Sequence, residues 1–272
     1  MRKINGKYKK VLLNSSIFLI PFCYWQNNNL VVTNLKYSNK NIPKAFNNFK
    51  ILQISDLHNK SFGDNQCYLV NHTKDIAPDI IVITGDLIDS TRTNIDIAID
   101  YIKQIRSVAS IYFVSGNHEE SSGVYNELKK RLEELGVIIL DDKQEFIEKD
   151  GETLTLLGLK DGTSFSDRIK TIKGNEDKFT ILLAHKPEYF NIYSEENIDL
   201  VFSGHAHGGQ FRMPFVGGLY SPGQGVFPKY TSGMYTKNNT SMVVSRGLGN
   251  SGFPLRLFNR PELIVVTLKS DS

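Results

Sequence analysis

Cysteine is scarce in this chain of 272 residues, with Cys23 and Cys67 as its only two. Two isolated cysteines provide neither the paired spacing of a zinc site nor a disulfide framework. Any metal must therefore be held by histidine and carboxylate side chains. The sequence also lacks a continuous apolar stretch of about 20 residues, the length that crosses a bilayer.

A basic excess is missing from the body of the chain. The net charge is +3, but five cations and no anion fall in the first ten residues: Arg2, Lys3, Lys7, Lys9 and Lys10. Without these five, acidic residues outnumber basic ones. Binding to nucleic acid requires many lysines and arginines to neutralise phosphates, so the composition excludes a nucleic-acid partner.

The basic segment leads into an apolar stretch at residues 11–25, interrupted by Asn14, Ser15 and Ser16. Its length is typical of a signal-peptide core, and no small-x-small cleavage site follows it. We therefore predict an uncleaved signal anchor within residues 1–28 and one folded domain at residues 29–272. The positive-inside rule places that domain outside the cytoplasm, at the cell membrane. The alternative is a helix that packs onto the domain, or lies in the membrane plane, without crossing it.

Short apolar runs in the body predict strands that are buried on both faces. Five of them end in polar residues and lie at 49–55, 80–84, 111–115, 179–184 and 200–203. Helical patterns at 66–76, 94–108 and 125–135 separate the first of these runs. Further strands are predicted at 137–140, 144–148, 153–159, 241–246 and 262–268, and residues 208–233 read as a long structured loop. Strands that alternate with helices favour a single layered α/β domain with mixed sheets.

Histidines collect at the ends of these strands. The chain has six, of which all but His72 lie at or just past a predicted strand end: His58, His118, His185, His205 and His207. Asp56, Asp86 and Asn117 stand beside them. Because α/β folds bind ligands at the carboxyl ends of strands, we expect these side chains to meet. Carboxylate oxygens combined with imidazole nitrogens suit manganese, iron or zinc.

In order along the chain, these groups resemble the five motifs of the calcineurin-like metallophosphoesterase superfamily. The motifs are Asp56-x-His58, Gly85-Asp86-x-x-Asp89, Gly116-Asn117-His118-Glu119, His185 and Gly204-His205-Ala206-His207. The resemblance extends over residues 50–268. It implies an α-β-β-α sandwich with two divalent metal ions at the carboxyl ends of the strands.

The resemblance also implies a role for each residue. Asp56, His58 and His207 would hold one ion, Asn117, His185 and His205 would hold the other, and Asp86 would bridge the two. His118 would bind the substrate phosphate, beside Asn117, and act as a general acid aligned by Asp56. The catalytic residues would thus be His118 and Asp86. In this interpretation Asp89 only caps the turn that follows Gly85.

Phosphate substrates usually contact cations in addition to the metals. The candidates are Lys186, Arg212, Arg246 and Arg256, and Arg246 is favoured because it stands at a predicted strand end beside Gly247.

Residues 204–210 and 245–249 are similar to a bacterial, membrane-associated branch that is related to UDP-2,3-diacylglucosamine pyrophosphatase-like hydrolases. This similarity implies hydrolysis of a phosphodiester or pyrophosphate in a lipid-linked or membrane-proximal substrate. Alternatives are a broad-specificity phosphomonoesterase, a protein phosphatase, and a non-catalytic binding module that the metals stabilise. The sequence does not indicate an oligomeric state.

Overall fold

The structure is a computed structural model that describes residues 19–174 and 178–271. Residues 1–18, which carry the basic segment and the first half of the predicted anchor, lie outside the described residues.

The described residues form sixteen strands. In chain order they are β1 (Val31–Asn39), β2 (Lys50–Ile54), β3 (Ile80–Thr84), β4 (Ser110–Val114), β5 (Ile138–Ile139), β6 (Lys143–Lys149), β7 (Glu152–Leu159), β8 (Thr180–Ala184), β9 (Leu200–Ser203), β10 (Arg212–Met213), β11 (Gly217–Gly218), β12 (Tyr220–Ser221), β13 (Gly225–Val226), β14 (Gly233–Lys237), β15 (Thr240–Val244) and β16 (Glu262–Ser270).

Twelve of these strands build two six-stranded mixed sheets. The first has the order β1-β16-β2-β3-β4-β5, and β16 is antiparallel to β2. The second has the order β14-β15-β9-β8-β7-β6, with antiparallel pairing at both edges. The other four strands form two small hairpins, β10–β11 and β12–β13, within the segment that was predicted to be a structured loop.

Seven α-helices accompany the sheets in the described part of the chain. They are α1 (residues 19–28), α2 (Cys67–Ile76), α3 (Asp96–Ile105), α4 (Asn117–Ser121), α5 (Tyr125–Glu134), α6 (Phe165–Lys173) and α7 (Phe190–Glu195). Helices α2, α3 and α5 cover the outer face of the first sheet, and α6 and α7 cover the outer face of the second.

Alternating side chains hold the layers together. In β3, Ile80 and Val82 face the second sheet, whereas Ile81 and Ile83 face the helices. Phe202 in β9 packs into the same core between the sheets. Because successive residues of a strand point to opposite faces, such fully apolar strands can fill both cores. The layer order is therefore α-β-β-α, which confirms the predicted fold class.

The predicted elements agree with the structure to within two residues at most boundaries. Besides the strands of the two small hairpins, β1, β14, α4, α6 and α7 have no counterpart among the predicted elements. Strand β1 is an edge strand with polar residues at every second position, such as Asn34, Lys36 and Ser38, so it shows no apolar run. Its nine-residue parallel pairing with β16 is a long-range contact that the local pattern does not reveal.

Helix α1 packs against the domain. The Phe22 ring lies 5.6 Å from the Phe258 ring, and the Arg260 guanidinium lies 4.8 Å from the Trp25 ring. Within the described residues, no helix is both long and apolar enough to cross a bilayer. The contacts of residues 19–28 correspond to the alternative of a packed helix, and residues 11–18 of the predicted anchor lie outside the described residues.

Replacing Phe202 by alanine should lower the free energy of unfolding by about 3–5 kcal/mol, because a large ring is lost from the core between the sheets. Urea unfolding of the metal-free protein measures this change. The matched control is Phe146→Ala, since Phe146 is 36% exposed and Phe202 is fully buried. Equal effects of the two substitutions would contradict the two-sheet core.

Candidate metal centre

The predicted site residues lie where the two sheets meet. Strands β2, β3 and β4 run parallel, as do β7, β8 and β9, so the carboxyl ends in each sheet share one edge. Gln53 in β2 donates from Nε2 to Thr84 Oγ1 at 3.0 Å and to the Ser203 carbonyl oxygen at 2.9 Å. This side chain links the carboxyl ends of β2, β3 and β9, and the residues that follow those strands therefore converge.

The first cluster consists of Asp56, His58 and His207, all buried. His58 Nε2 lies 3.1 Å from His207 Nε2. His207 Nε2 lies 3.5 Å from Asp56 Oδ1, and His58 Nε2 lies 3.9 Å from the same oxygen. Two imidazoles and one carboxylate thus direct ligand atoms at one small volume, as a first-row metal ion requires.

The second cluster consists of Asp86, His185 and His205, which are also buried. His185 Nε2 lies 3.1 Å from Asp86 Oδ2 and 3.2 Å from His205 Nδ1. The other ring nitrogen of His185, Nδ1, lies 2.7 Å from the Thr84 carbonyl oxygen. Because a carbonyl oxygen accepts only, Nδ1 carries the proton, and in the neutral ring Nε2 keeps its lone pair for a metal.

Asp86 belongs to the second cluster and also approaches the first. Its Oδ2 is 3.1 Å from His185 Nε2 and 3.6 Å from His58 Nε2. Its Oδ1 accepts a hydrogen bond of 2.9 Å from the backbone N–H of His118. The backbone therefore fixes one oxygen, while the other faces both clusters, which is the geometry that a bridging ligand requires.

The electrostatics of the clusters fit cations. Burial lowers the pKa of His58 and of His205 to about 3, and it also holds the pKa of His207 well below its ordinary value. These imidazoles are neutral at pH 7 and keep lone pairs for a metal. Burial raises the pKa of the Asp56 carboxyl to about 6. Asp56 and Asp86 form no ion pair with lysine or arginine within the described part of the chain, so bound metal ions would supply the missing positive charge.

Several ligand candidates have strained backbones. Five of them adopt φ angles between 46° and 62°: Asp56, His58, Asp86, His205 and His207. Residues other than glycine rarely adopt this left-handed region, and each such residue costs about 1–3 kcal/mol. The turns that follow β2, β3 and β9 therefore aim these side chains at the centre at the expense of local stability.

Asn117 is the first residue of α4, and its Oδ1 is buried without a hydrogen-bond partner among the described residues. An orphaned buried carbonyl oxygen loses its hydration without compensation. This atom thus fits the predicted ligand role, in which a metal ion would take the place of the missing donor.

His118 borders the clusters, and its ring centroid lies 4.5 Å from that of His58. The Ser90 backbone N–H donates to its Nδ1 at 2.9 Å, and its Nε2 lies 3.1 Å from the Ser251 hydroxyl oxygen. Because Nδ1 accepts, the neutral ring carries its proton on Nε2. The resemblance implies that Asp56 aligns this ring, but the hydrogen bonds that fix it among the described residues come from Ser90 and Ser251.

Glu119 supports the centre in a way that the sequence analysis missed. Its buried carboxylate accepts hydrogen bonds from the backbone N–H groups of Asp86, Gly116 and Ile88, at 2.7, 2.8 and 3.2 Å. Burial, with a further contribution from Asp86, raises the pKa of Glu119 to about 8. This side chain thereby ties the turn after β3 to the turn after β4.

Two more carboxylates lie on the side of His58 and His205 that faces away from the clusters. Asp89 Oδ2 lies 3.9 Å from His58 Nδ1, and Glu188 Oε1 lies 3.8 Å from His205 Nε2. Each faces the ring nitrogen that points away from the cluster, but at a distance longer than a hydrogen bond. From there the negative charge of the carboxylate raises the basicity of the imidazole. Asp89 Oδ1 also accepts from the Thr91 backbone and hydroxyl, which agrees with the predicted turn cap. Glu188 follows His185 by three residues, and this spacing is the signal in the sequence that could have indicated its place near the centre.

All four predicted phosphate-binding cations form ion pairs or hydrogen bonds with other groups of the protein. Arg246 pairs with Glu262 at 2.8 Å, and Lys186 pairs with Asp161 at 3.0 Å. Arg212 donates to the Gly208 carbonyl oxygen at 2.8 Å. Arg256 is fully buried and donates only to carbonyl oxygens, of the backbone and of the Asn250 side chain. None of these cations contacts the two clusters directly in the described residues.

Comparison with known proteins agrees with this geometry. The family model for calcineurin-like phosphoesterase matches residues 49–209. The uncharacterized metallophosphoesterase YkuE of Bacillus subtilis (strain 168) is 32% identical over 240 residues, which cover 84% of this chain and 82% of the relative. The crystal structure of TT1561 of Thermus thermophilus superimposes with a TM-score of 0.52 over 74% of this chain and 90% of that one, at 13% identity, and shows the same fold.

A relative from Bos taurus is named transmembrane protein with metallophosphoesterase domain. It is 29% identical over 260 residues, which cover 88% of this chain but only 57% of the relative.

The protein is an α-β-β-α sandwich with buried clusters of histidine and carboxylate side chains at its strand ends. Together with these comparisons, this places it in the class of metal-binding phosphoester hydrolases. The chain belongs to the calcineurin-like phosphoesterase family.

Replacing Glu188 by glutamine should weaken the binding of one metal ion about 10- to 100-fold, because an orienting carboxylate raises the basicity of the histidine that it faces. Titration of the metal-free protein with Mn²⁺, followed by calorimetry, should show one weakened site and one unchanged site. The matched control is Glu195→Gln, an exposed residue on α7. Equal affinities in the two variants would contradict the orienting role.

Proposed function

We propose that the protein hydrolyses a phosphodiester or pyrophosphate bond with a water molecule that two divalent ions activate. The observation that carries the proposal is the position of Asp86 Oδ2, 3.1 Å from His185 Nε2 and 3.6 Å from His58 Nε2. A carboxylate oxygen between two sets of buried imidazoles suits a pair of ions about 3.5–4 Å apart.

The residues on each side of Asp86 fit the ions. Asp56, His58 and His207 would hold one, and Asn117, His185 and His205 would hold the other. Manganese, iron or zinc suits this mixture of oxygen and nitrogen ligands. When bound, such ions lower the pKa of a water molecule to near neutrality and polarise phosphoryl oxygens.

His118 supplies the proton for the leaving group in this proposal. Its Nε2 proton points to the Ser251 hydroxyl, and the Ser90 N–H on Nδ1 fixes the ring. When a phosphate ester occupies the site, its leaving oxygen would replace Ser251 as the acceptor of that proton. The ring would first take up a second proton on Nδ1, in place of the Ser90 hydrogen bond, and would be left neutral after the transfer. Asn117 and His118 would also contact the substrate phosphate. Arg246 would join them only when the substrate displaces its bond to Glu262.

The surroundings of the centre support a lipid-linked substrate. A cavity of about 530 Å³ is lined by His58, Asp89, Arg92 and Pro254, among others. An adjoining groove of about 480 Å³ shares Pro254 with it and is mostly apolar, with Leu19, Ile20, Cys23, Tyr24 and Leu255 in its lining. A polar cavity next to the clusters that leads into an apolar groove suits an amphiphilic phosphate ester. We therefore also propose that the protein is related to the branch of UDP-2,3-diacylglucosamine pyrophosphatase-like hydrolases.

We place the protein at the bacterial cell membrane, with residues 1–28 as its anchor and residues 29–272 as an extracytoplasmic metallophosphoesterase domain. The support is the basic and apolar composition of residues 1–25 and the name of the relative from Bos taurus.

Replacing Asp86 by asparagine should abolish Mn²⁺-dependent hydrolysis of bis(p-nitrophenyl) phosphate and lower the stoichiometry of bound metal below two ions per chain. Loss of the bridging charge would leave two cations facing each other without the carboxylate between them. Turnover and metal content of the full chain, stripped with a chelator and then reloaded, measure the two effects. His72→Ala serves as the control, because His72 lies outside the clusters. Unchanged turnover in Asp86→Asn would contradict the two-ion mechanism, and full metal binding without turnover in the parent protein would favour a binding module.

Replacing His118 by alanine should lower kcat about 10²- to 10⁴-fold for phosphodiesters with an alkyl leaving group. The loss should be far smaller for a p-nitrophenyl leaving group, because nitrophenolate departs without a proton. Parallel assays of the two esters measure the difference, and an aryl phosphomonoester tests the alternative of a broad phosphomonoesterase or protein phosphatase. An equal loss for both leaving groups would show that His118 binds the phosphate but does not act as the acid.

A further inference from the structure

The exposed apolar side chains are unevenly distributed. All but two of the large ones in the described residues fall in three segments. The first segment is α1, the second is residues 208–233, called the hairpin segment, and the third is residues 250–258, called the loop before β16. The side chains are Leu19, Ile20, Tyr24 and Trp25 in α1; Met213, Phe215, Val216, Tyr220, Val226 and Phe227 in the hairpin segment; and Phe253, Leu255 and Phe258 in the loop before β16. We call this set the apolar rim. Contiguous apolar surface of this kind marks an interaction site.

The hairpin segment and the loop before β16 adjoin. The Phe211 ring contacts the Phe253 ring edge-on, with centroids 5.0 Å apart. The Arg212 backbone N–H donates to the Leu257 carbonyl oxygen at 3.0 Å, at the start of β10. The β10–β11 hairpin is therefore fixed at its base, and the turn between its strands carries Phe215 fully exposed.

The same loop also holds α1. Phe258 packs on Phe22 of that helix. At the helix end, Asn27 Oδ1 accepts from Asn250 Nδ2 at 3.0 Å and from the Arg256 backbone N–H at 3.1 Å. The three segments of the apolar rim are thus joined through one loop, residues 250–258.

The apolar rim borders the metal centre. Ser251, in that loop, contacts His118, and the hairpin segment begins directly after His207. Gly209, two residues beyond His207, approaches the backbone of Gly218 in β11 so closely that neither position has space for a Cβ atom. A surface that binds the apolar rim would therefore lie beside the entrance to the centre.

Cations flank the apolar residues. Arg260 lies over the Trp25 ring at 4.8 Å, and Lys229 lies over the Tyr230 ring at 5.0 Å. Exposed aromatic and aliphatic side chains beside lysine and arginine match the two layers of a bilayer surface, its acyl region and its anionic headgroups.

We propose that the apolar rim docks onto an anionic lipid bilayer, with Phe215 and the neighbouring turn residues inserted among the acyl chains. Docking itself is independent of the metal chemistry. Its consequence, that the centre opens toward substrates held in the bilayer, rests on the function proposed above.

The chain contains a single tryptophan, Trp25, so fluorescence can locate the docking surface. In a Trp25→Phe background, Phe215→Trp and Phe146→Trp place the probe on the apolar rim and on β6 respectively. We expect vesicles of phosphatidylcholine and phosphatidylglycerol with brominated acyl chains to quench and blue-shift the emission of the probe at position 215. The emission of the probe at position 146 should not change. Trp25 of the parent protein should be quenched as well.

A second measurement uses flotation of the full chain with the same vesicles. Phe215→Ser should lower the partition coefficient about tenfold, because one buried aromatic side chain contributes that much to transfer. Phe146→Ser should not change it. Hydrolysis of the soluble bis(p-nitrophenyl) phosphate should be the same in both variants as in the parent, so a failure of docking and a failure of the hydrolytic proposal can be told apart.

The proposal is overturned if the probe at position 215 is not quenched while Trp25 is, because then only the N-terminal segment touches lipid. It is equally overturned if the probe at position 215 becomes buried with rising protein concentration in the absence of vesicles. That result would show that a second copy of the chain covers the apolar rim.

Discussion

The constraint on which the rest of the structure depends is that many metal-binding side chains are buried close together at the strand ends of the two sheets. The Asp86 carboxylate lies in the middle of them. Asp86 Oδ2 lies within 3.6 Å of ligand nitrogens from both clusters. In the low dielectric of the interior, unpaired carboxylates and crowded imidazoles are costly unless cations bind between them. The surrounding architecture maintains this arrangement. Parallel strands bring their ends together, left-handed turns aim the side chains, and Glu119 ties two of those turns to each other.

The centre and the apolar rim share a single loop before β16. The fully buried Arg256 organises it by donating to the carbonyl oxygens of Arg246, Gly249 and Asn259 and to the Asn250 side chain. The same loop presents Ser251 to His118 and holds the end of α1 through Asn27. Direct contacts therefore link α1 to this loop and this loop to His118.

Much of this could be predicted from the sequence, for a clear physical reason. A strand that is buried on both faces appears in the sequence as a continuous apolar run. The local sequence therefore predicted β2, β3, β4, β8 and β9, together with the residues that follow them. The candidate ligands could be named because most of them come directly after these runs, and the structure brings their histidine and aspartate side chains together. Edge strand β1 and the short helices α6 and α7 were not predicted, because their stability comes from contacts with distant segments. Edge strand β14 and the five-residue helix α4 were not predicted either.

The sequence by itself determined the layered α/β class and the candidate ligands, since both follow from short-range patterns, and the α-β-β-α order followed from the resemblance of its motifs to a known superfamily. The tertiary structure alone decided which ligands meet, that one oxygen of Asp86 faces both clusters, and that Glu188 stands behind His205. It also decided that Arg246 pairs with Glu262 and that three distant segments form one apolar rim. These relations join residues that are far apart in the chain. Asn27 and Asn250, for example, meet because the strands that follow them, β1 and β16, pair in the first sheet.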